Sequence, residues 1–132
     1  MLLAVLVAMH LLNADTACSS SGPVLDKVSW SFVDGNTTNG INKDATIKAY
    51  SPLLTFCNSV LYATWEESNH VRIAVYNGDD LSPMWTFIDG NGTNGMNRSA
   101  SNSASSPQLT AWGSKLYATW QEAGQIRVVV GK

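Results

Sequence analysis

The sequence predicts an all-β chain in which one structural unit is used twice, and three observations carry that expectation. First, Leu61-Tyr62-Ala63-Thr64-Trp65-Glu66-Glu67 returns as Leu116-Tyr117-Ala118-Thr119-Trp120-Gln121-Glu122, an offset of 55 residues. The same offset carries Trp30 onto Trp85, Asp34 onto Asp89, Pro52 onto Pro107 and Arg72 onto Arg127. By direct count, 24 of the 48 aligned pairs between residues 30–77 and 85–132 are identical, with no gap. Self-similarity of that kind at a fixed period marks a repeat architecture. Second, the repeated stretches alternate with period two, the signature of strands. Third, turn pairs such as Asn58-Ser59 and Asp34-Gly35 separate them at hairpin spacing.

The chain has 132 residues and a formal net charge of −2, with only 14% charged residues and no basic cluster. One small domain fits that length. A phosphate-binding surface for nucleic acid does not fit that charge. Residues 2–12 are almost wholly apolar, interrupted by His10. Eleven residues are too short for a helix that spans a bilayer, which needs about 20, but they match the apolar region of a secretory signal. The expected organisation is a signal peptide over residues 1–17, a tether over 18–27 and the repeated unit over 28–132, in a secreted or cell-surface protein. Two exits from the signal stay open. The small residues 14–17 suit a signal peptidase. Alternatively, Thr16-Ala17-Cys18 followed by Ser and Gly resembles a bacterial lipoprotein boundary, which would make a lipid on Cys18 the membrane link. Cys57 aligns with Trp112 and reads as a small apolar residue within a strand.

The strands follow in order. Residues 28–33 (Val-Ser-Trp-Ser-Phe-Val) form the first expected strand and end at Asp34-Gly35. A polar Asn- and Gly-rich loop then runs to about residue 50. Strands are expected at 53–56, 61–66 and 71–76, then at 84–88, which matches the first. The second unit repeats the loop and three strands. Four short antiparallel strands per unit, apolar on both faces, describe a β-propeller blade, and the loop lengthens the period beyond the usual range of about 40 to 50.

At these residues a resemblance appears. Leu-Tyr-Ala-Thr-Trp, Ile126-Arg127-Val128, Tyr76-Asn77-Gly78 and Trp85-Thr86-Phe87-Ile88-Asp89-Gly90 look like repeats of secreted sialidase-like or kelch-like propellers. In size and repeat count the chain is similar to the short two-repeat fucose-binding lectins. That resemblance implies a ligand held by aromatic, Glu and Arg side chains, here Glu67, Arg72, Glu122 and Arg127 beside Trp65 and Trp120. The spacing differs from that of those lectins. The aspartate box of sialidases (Ser-x-Asp-x-Gly-x-x-Trp) is missing, and Arg72, Arg98 and Arg127 are too few for their arginine cluster, so sialidase activity is the weakest of the readings.

No catalytic set stands out. His70 is the one histidine after the leader and aligns with Gln125. Glu66 and Glu67 are adjacent in a strand, point to opposite faces and read as a strand end at the surface. Asp34, Asn36 and Asn39, repeated as Asp89, Asn91 and Asn94, offer oxygen ligands for calcium. With one carboxylate per loop the default is a self-bonded turn and no cofactor. Asn36, Asn91 and Asn97 each begin an Asn-x-Ser/Thr triplet, an acceptor for glycans in a eukaryotic secretory route. The reading that follows is a non-catalytic, lectin-like module for carbohydrate or a surface partner. The alternative is a structural fragment of a larger propeller with no ligand. Because about 4 to 8 blades make a ring, two blades per chain imply self-assembly, a trimer first, with dimers and tetramers as variants.

Overall fold

The computed structural model describes residues 30–35, 40–90 and 94–132. Apart from Trp30 these belong to one compact unit, Ser31–Lys132. The expected signal peptide, the tether, Cys18 and the loop residues Asn36, Asn39 and Asn91 lie outside the described residues.

The architecture is all-β, with no helix among the described residues. Seven strands form two antiparallel sheets. The first holds β1 (Ala49–Cys57), β2 (Val60–Glu67), β3 (His70–Tyr76) and β4 (Trp85–Phe87) in the order β1-β2-β3-β4. The second holds β5 (Ala104–Trp112), β6 (Lys115–Glu122) and β7 (Gln125–Val130) in the order β5-β6-β7. The two ladders share one register at the 55-residue offset: Ala63 pairs with Leu54 and Ala74, and Ala118 pairs with Leu109 and Val129.

Two expectations are corrected here. The described residues contain two separate sheets of four and three strands and no closed sheet, so the propeller assignment does not hold. The second sheet lacks the fourth strand that a blade requires, and two sheets are too few to close into a ring. The expected first strand fails as well. Residues 30–33 are not paired in a sheet, and the outer edge of β3 is taken by β4.

Local sequence explains the elements. Three of the four two-residue hairpins turn on residues that both have positive φ: Asn58-Ser59, Ser68-Asn69 and Ala123-Gly124. These turns match the right-handed twist of the flanking strands. In the fourth, only the first residue, Gly113, has positive φ. β1 and β5 run longer than the sequence indicated, because each contains a bulge at Ser51-Pro52 or Ser106-Pro107, where the register shifts and the serine takes φ 53° or 54°. Proline has no N–H for the ladder, so a bulge is where it fits inside a strand.

Packing uses both faces of the first sheet. On one face Val71 and Ile73 (0% and 4% exposed) meet Leu109, Ala118 and Trp120 of the second sheet. Fully burying one such aliphatic side chain contributes about 1.5–3 kcal/mol. On the other face Ala63, Trp65 and Ala74 form a smaller cluster with Ile41, Trp85 and Phe87, and the Trp65 and Phe87 rings meet edge to face at 5.7 Å. Cys57 is buried with a free thiol.

Ser59 and Ala123 carry side chains at φ 61° and 50°, a conformation in which glycine has no steric penalty. Replacing either by glycine, Ser59→Gly or Ala123→Gly, should raise unfolding stability by up to about 1 kcal/mol in urea titration. The same change at Ser114, outside the positive-φ set, should not stabilise.

Candidate functional site

The residues singled out from sequence sit around two equivalent devices, one per repeat. At the end of β2, Glu67 is 1% exposed rather than at the surface, while its neighbour Glu66 is half-buried on the opposite face. Trp65 lies two residues earlier on the same face, and its indole Nε1–H donates to Glu67 Oε2 at 2.8 Å. The backbone N–H of Lys43 donates to Oε2 at 3.0 Å, and that of Asp44 to Oε1 at 2.7 Å. In the second repeat, Glu122 is fully buried and accepts from Arg98 N (3.0 Å), Ser99 N (3.0 Å), Trp120 Nε1 (3.0 Å) and Asn102 Nδ2 (3.4 Å). A buried carboxylate is tolerable only when such donors replace water. Each glutamate therefore ties the start of the preceding polar segment to the end of a central strand.

The two arginines differ. Arg72 is buried, and its Nη1 pairs with Asp89 Oδ2 at 3.2 Å, so the Asp-Gly segment of the second repeat is anchored to the first sheet. Arg127 is more open, with 26% of its side chain exposed, and its Nε lies 3.7 Å from Glu122 Oε2. Behind each arginine a threonine closes the ladder: Thr64 Oγ1 donates to the Arg72 carbonyl and Thr119 Oγ1 to the Arg127 carbonyl, both at 2.7 Å.

Glu67 and Arg72 line one polar hollow of about 510 Å³ together with Lys43, Asp44, Ser68 and His70. His70 Nδ1 is shielded from solvent and takes no partner from the protein. Glu122 and Arg127 lie in the other repeat, so the four expected ligand residues form two pairs. Trp65 and Trp120 are 2% and 3% exposed. They belong to the core and offer no stacking face. Of the calcium candidates, Asp89 is committed to Arg72, and the described residues gather no group of three or more His, Cys, Asp or Glu.

Sequence reasoning read Asn97 only as a glycan acceptor and missed its structural role. Its Oδ1 accepts from Val71 N at 3.1 Å, and its Nδ2 donates to Asn69 O at 3.0 Å and to Asn102 O at 2.8 Å. Beside it, the Met96 N–H donates to the Val71 carbonyl at 2.9 Å. Gly95 (φ +55°) allows this approach, since a Cβ there would collide with that carbonyl. The available signal was that Gly40 and Asn42 occupy the same places in the first repeat. With its amide fully engaged, Asn97 is poorly suited to carry a glycan.

Comparison of the chain with protein-family models, curated proteins and solved structures found no match. Nothing from known families therefore supports the propeller resemblance.

Burial opposes ionisation of Glu122, but the hydrogen bonds from Arg98, Trp120, Ser99 and Asn102 outweigh it and hold the carboxyl at about 2, below its ordinary 4.5. A folded-state value below the unfolded one contributes stability above the unfolded value, and that contribution is lost as pH falls through the folded one. Thermal melts should therefore show wild type losing stability between about pH 4.5 and pH 2. Glu122→Gln should be less stable at neutral pH and flatter across that window.

Proposed function

We propose that this protein is a non-catalytic binding module that takes a carbohydrate in the polar hollow beside Glu67. The observation that carries the reading is the convergence of Asp44, Glu67, His70 and Arg72, two carboxylates, an imidazole and a guanidinium, around one concavity. Sugar hydroxyls both donate and accept, so such a mixed lining suits them better than it suits an ion of one sign. His70 lines the hollow with a half-buried imidazole. The ligand would be gripped at its polar edges without aromatic stacking, because both core tryptophans are buried. Proton-transfer chemistry is a poor fit, because the Glu67 oxygens are already engaged by three N–H donors of the protein itself.

A second reading, a structural repeat module without a ligand, draws support from the internal commitments of Glu67 and Arg72. Replacing Arg72 would not discriminate between the two, since it strands the buried Asp89 carboxylate at a cost of about 3–5 kcal/mol and threatens the fold. His70→Ala is the better probe. Screening on a glycan array followed by calorimetric titration should find a saccharide whose affinity drops about tenfold or more in His70→Ala, with Lys115→Ala unchanged and both variants melting like wild type. Absence of any glycan binding would select the structural reading. Binding undiminished in His70→Ala would move the site elsewhere.

A further inference from the structure

The contact between the two sheets has a matched pair of counterparts in the chain, and Leu54, Ile126 and Val128 on them stay exposed. Inside the molecule, one face of the first sheet presents Val71 and Ile73 to the face of the second sheet that bears Leu109, Ala118 and Trp120. At the 55-residue offset, Val71 and Ile73 correspond to Ile126 and Val128 on the outer face of the second sheet. Leu109, Ala118 and Trp120 correspond to Leu54, Ala63 and Trp65 on the outer face of the first. Ala63 and Trp65 are already covered by Ile41, Trp85 and Phe87, but the other pairs differ in exposure. Val71 and Ile73 are 0% and 4% exposed, whereas Ile126 and Val128 are 73% and 67% exposed. Leu109 is 6% exposed and Leu54 61%. Pro107 is fully buried and Pro52 is exposed. Each outer face also carries an open hollow of similar size, about 470 Å³ between Pro52, Leu54 and Trp65 and about 480 Å³ beside Tyr117 and Val128.

Polar groups repeat the pattern. Within the chain, Asp89 pairs with Arg72, Ile88 N donates to the Ile73 carbonyl (2.9 Å), Met96 N to the Val71 carbonyl (2.9 Å) and Ala104 N to the Asn69 carbonyl (2.8 Å). The counterparts of the donor side are Asp34, Val33, Ile41 and Ala49 near the start of the unit. The counterparts of the acceptor side are Arg127, Val128, Ile126 and Gly124 on or beside β7. Arg127 Nε is out of contact with solvent and makes no hydrogen bond. Phe32, the counterpart of the half-buried Phe87 on β4, is 81% exposed, and among the described residues the outer edge of β7 has no neighbouring strand.

We infer that this protein associates head to tail with a second copy of itself. The outer face of the second sheet of one chain packs on the outer face of the first sheet of the next, repeating the contact that Val71 and Ile73 make with Leu109 inside the chain. The interface is heterologous: the two surfaces differ, so repeated addition gives a closed ring or an open filament rather than a symmetric pair. Both apolar faces and the open edge are covered at once, which removes an aggregation liability as well as exposed apolar area. The repeat selects the partner, because each outer face is the 55-residue counterpart of one side of the contact already made between the two sheets.

Size exclusion with light scattering on the purified chain tests the association. Assemblies larger than one protomer are expected, and Val128→Asp or Leu54→Asp, both at exposed positions, should return them to the protomer mass with unchanged far-ultraviolet dichroism. Mixing chains with Leu54→Cys and chains with Val128→Cys should give a disulfide between unlike chains. A monodisperse protomer at every concentration would overturn the inference. So would an oligomer indifferent to both aspartate variants, or cross-linking between like chains alone.

Discussion

A glutamate with no access to solvent holds each half of this molecule together. A carboxylate removed from water must be given back the hydrogen bonds it lost, and the chain provides them from two directions. An indole two residues earlier on the same strand supplies one, and successive backbone amides of the preceding polar segment supply two more. The requirement fixes several things at once. The tryptophan must lie in the core, the segment at 43–44 or 98–99 must approach the strand end, and the strand must finish where the carboxylate can reach it. The hairpin that follows, with its ladder-closing threonine, is then set in register.

The second constraint is the pairing of Arg72 with Asp89. It ties the first residues after β4 to the centre of the first sheet, so the second repeat cannot leave the first without exposing or stranding a charge. Removing one partner of a buried pair costs far more than the pair itself contributes, so Arg72–Asp89 acts mainly as a specification of register between the repeats. Asn97 plays a related part with neutral groups, joining the β2–β3 hairpin to the loop that leads into β5.

Much of this was legible in the chain. The repeat, the strands at 61–66 and 71–76 and the hairpin pairs were visible, because period two and turn chemistry are local properties. β1 and β5 extended further than expected because a Ser-Pro bulge, normally a strand terminator, is absorbed where φ turns positive. Residues 28–33 looked like a strand on composition alone, yet a strand needs a free edge, and edges are a tertiary matter. Glu67 and Glu122 were assigned to the surface because charged residues at strand ends are usually there. The corrective signal was the invariant Trp-x-Glu in both copies: same-face spacing puts the indole beside the carboxylate. The partner of Arg72 was unreadable, since Asp89 is distant in sequence and was attributed to its own loop.

The distribution of tryptophans has an optical consequence. Trp65 and Trp120 are shielded and hydrogen-bonded to carboxylates, whereas Trp30 and Trp112 are 91% and 77% exposed. The intrinsic emission of this protein is therefore a sum of two populations, one shifted to the blue and inaccessible to a polar quencher, the other solvated and readily quenched. Release of either glutamate would transfer one indole from the first population to the second. The chain thus carries, in each half, its own spectroscopic reporter of the contact on which that half depends.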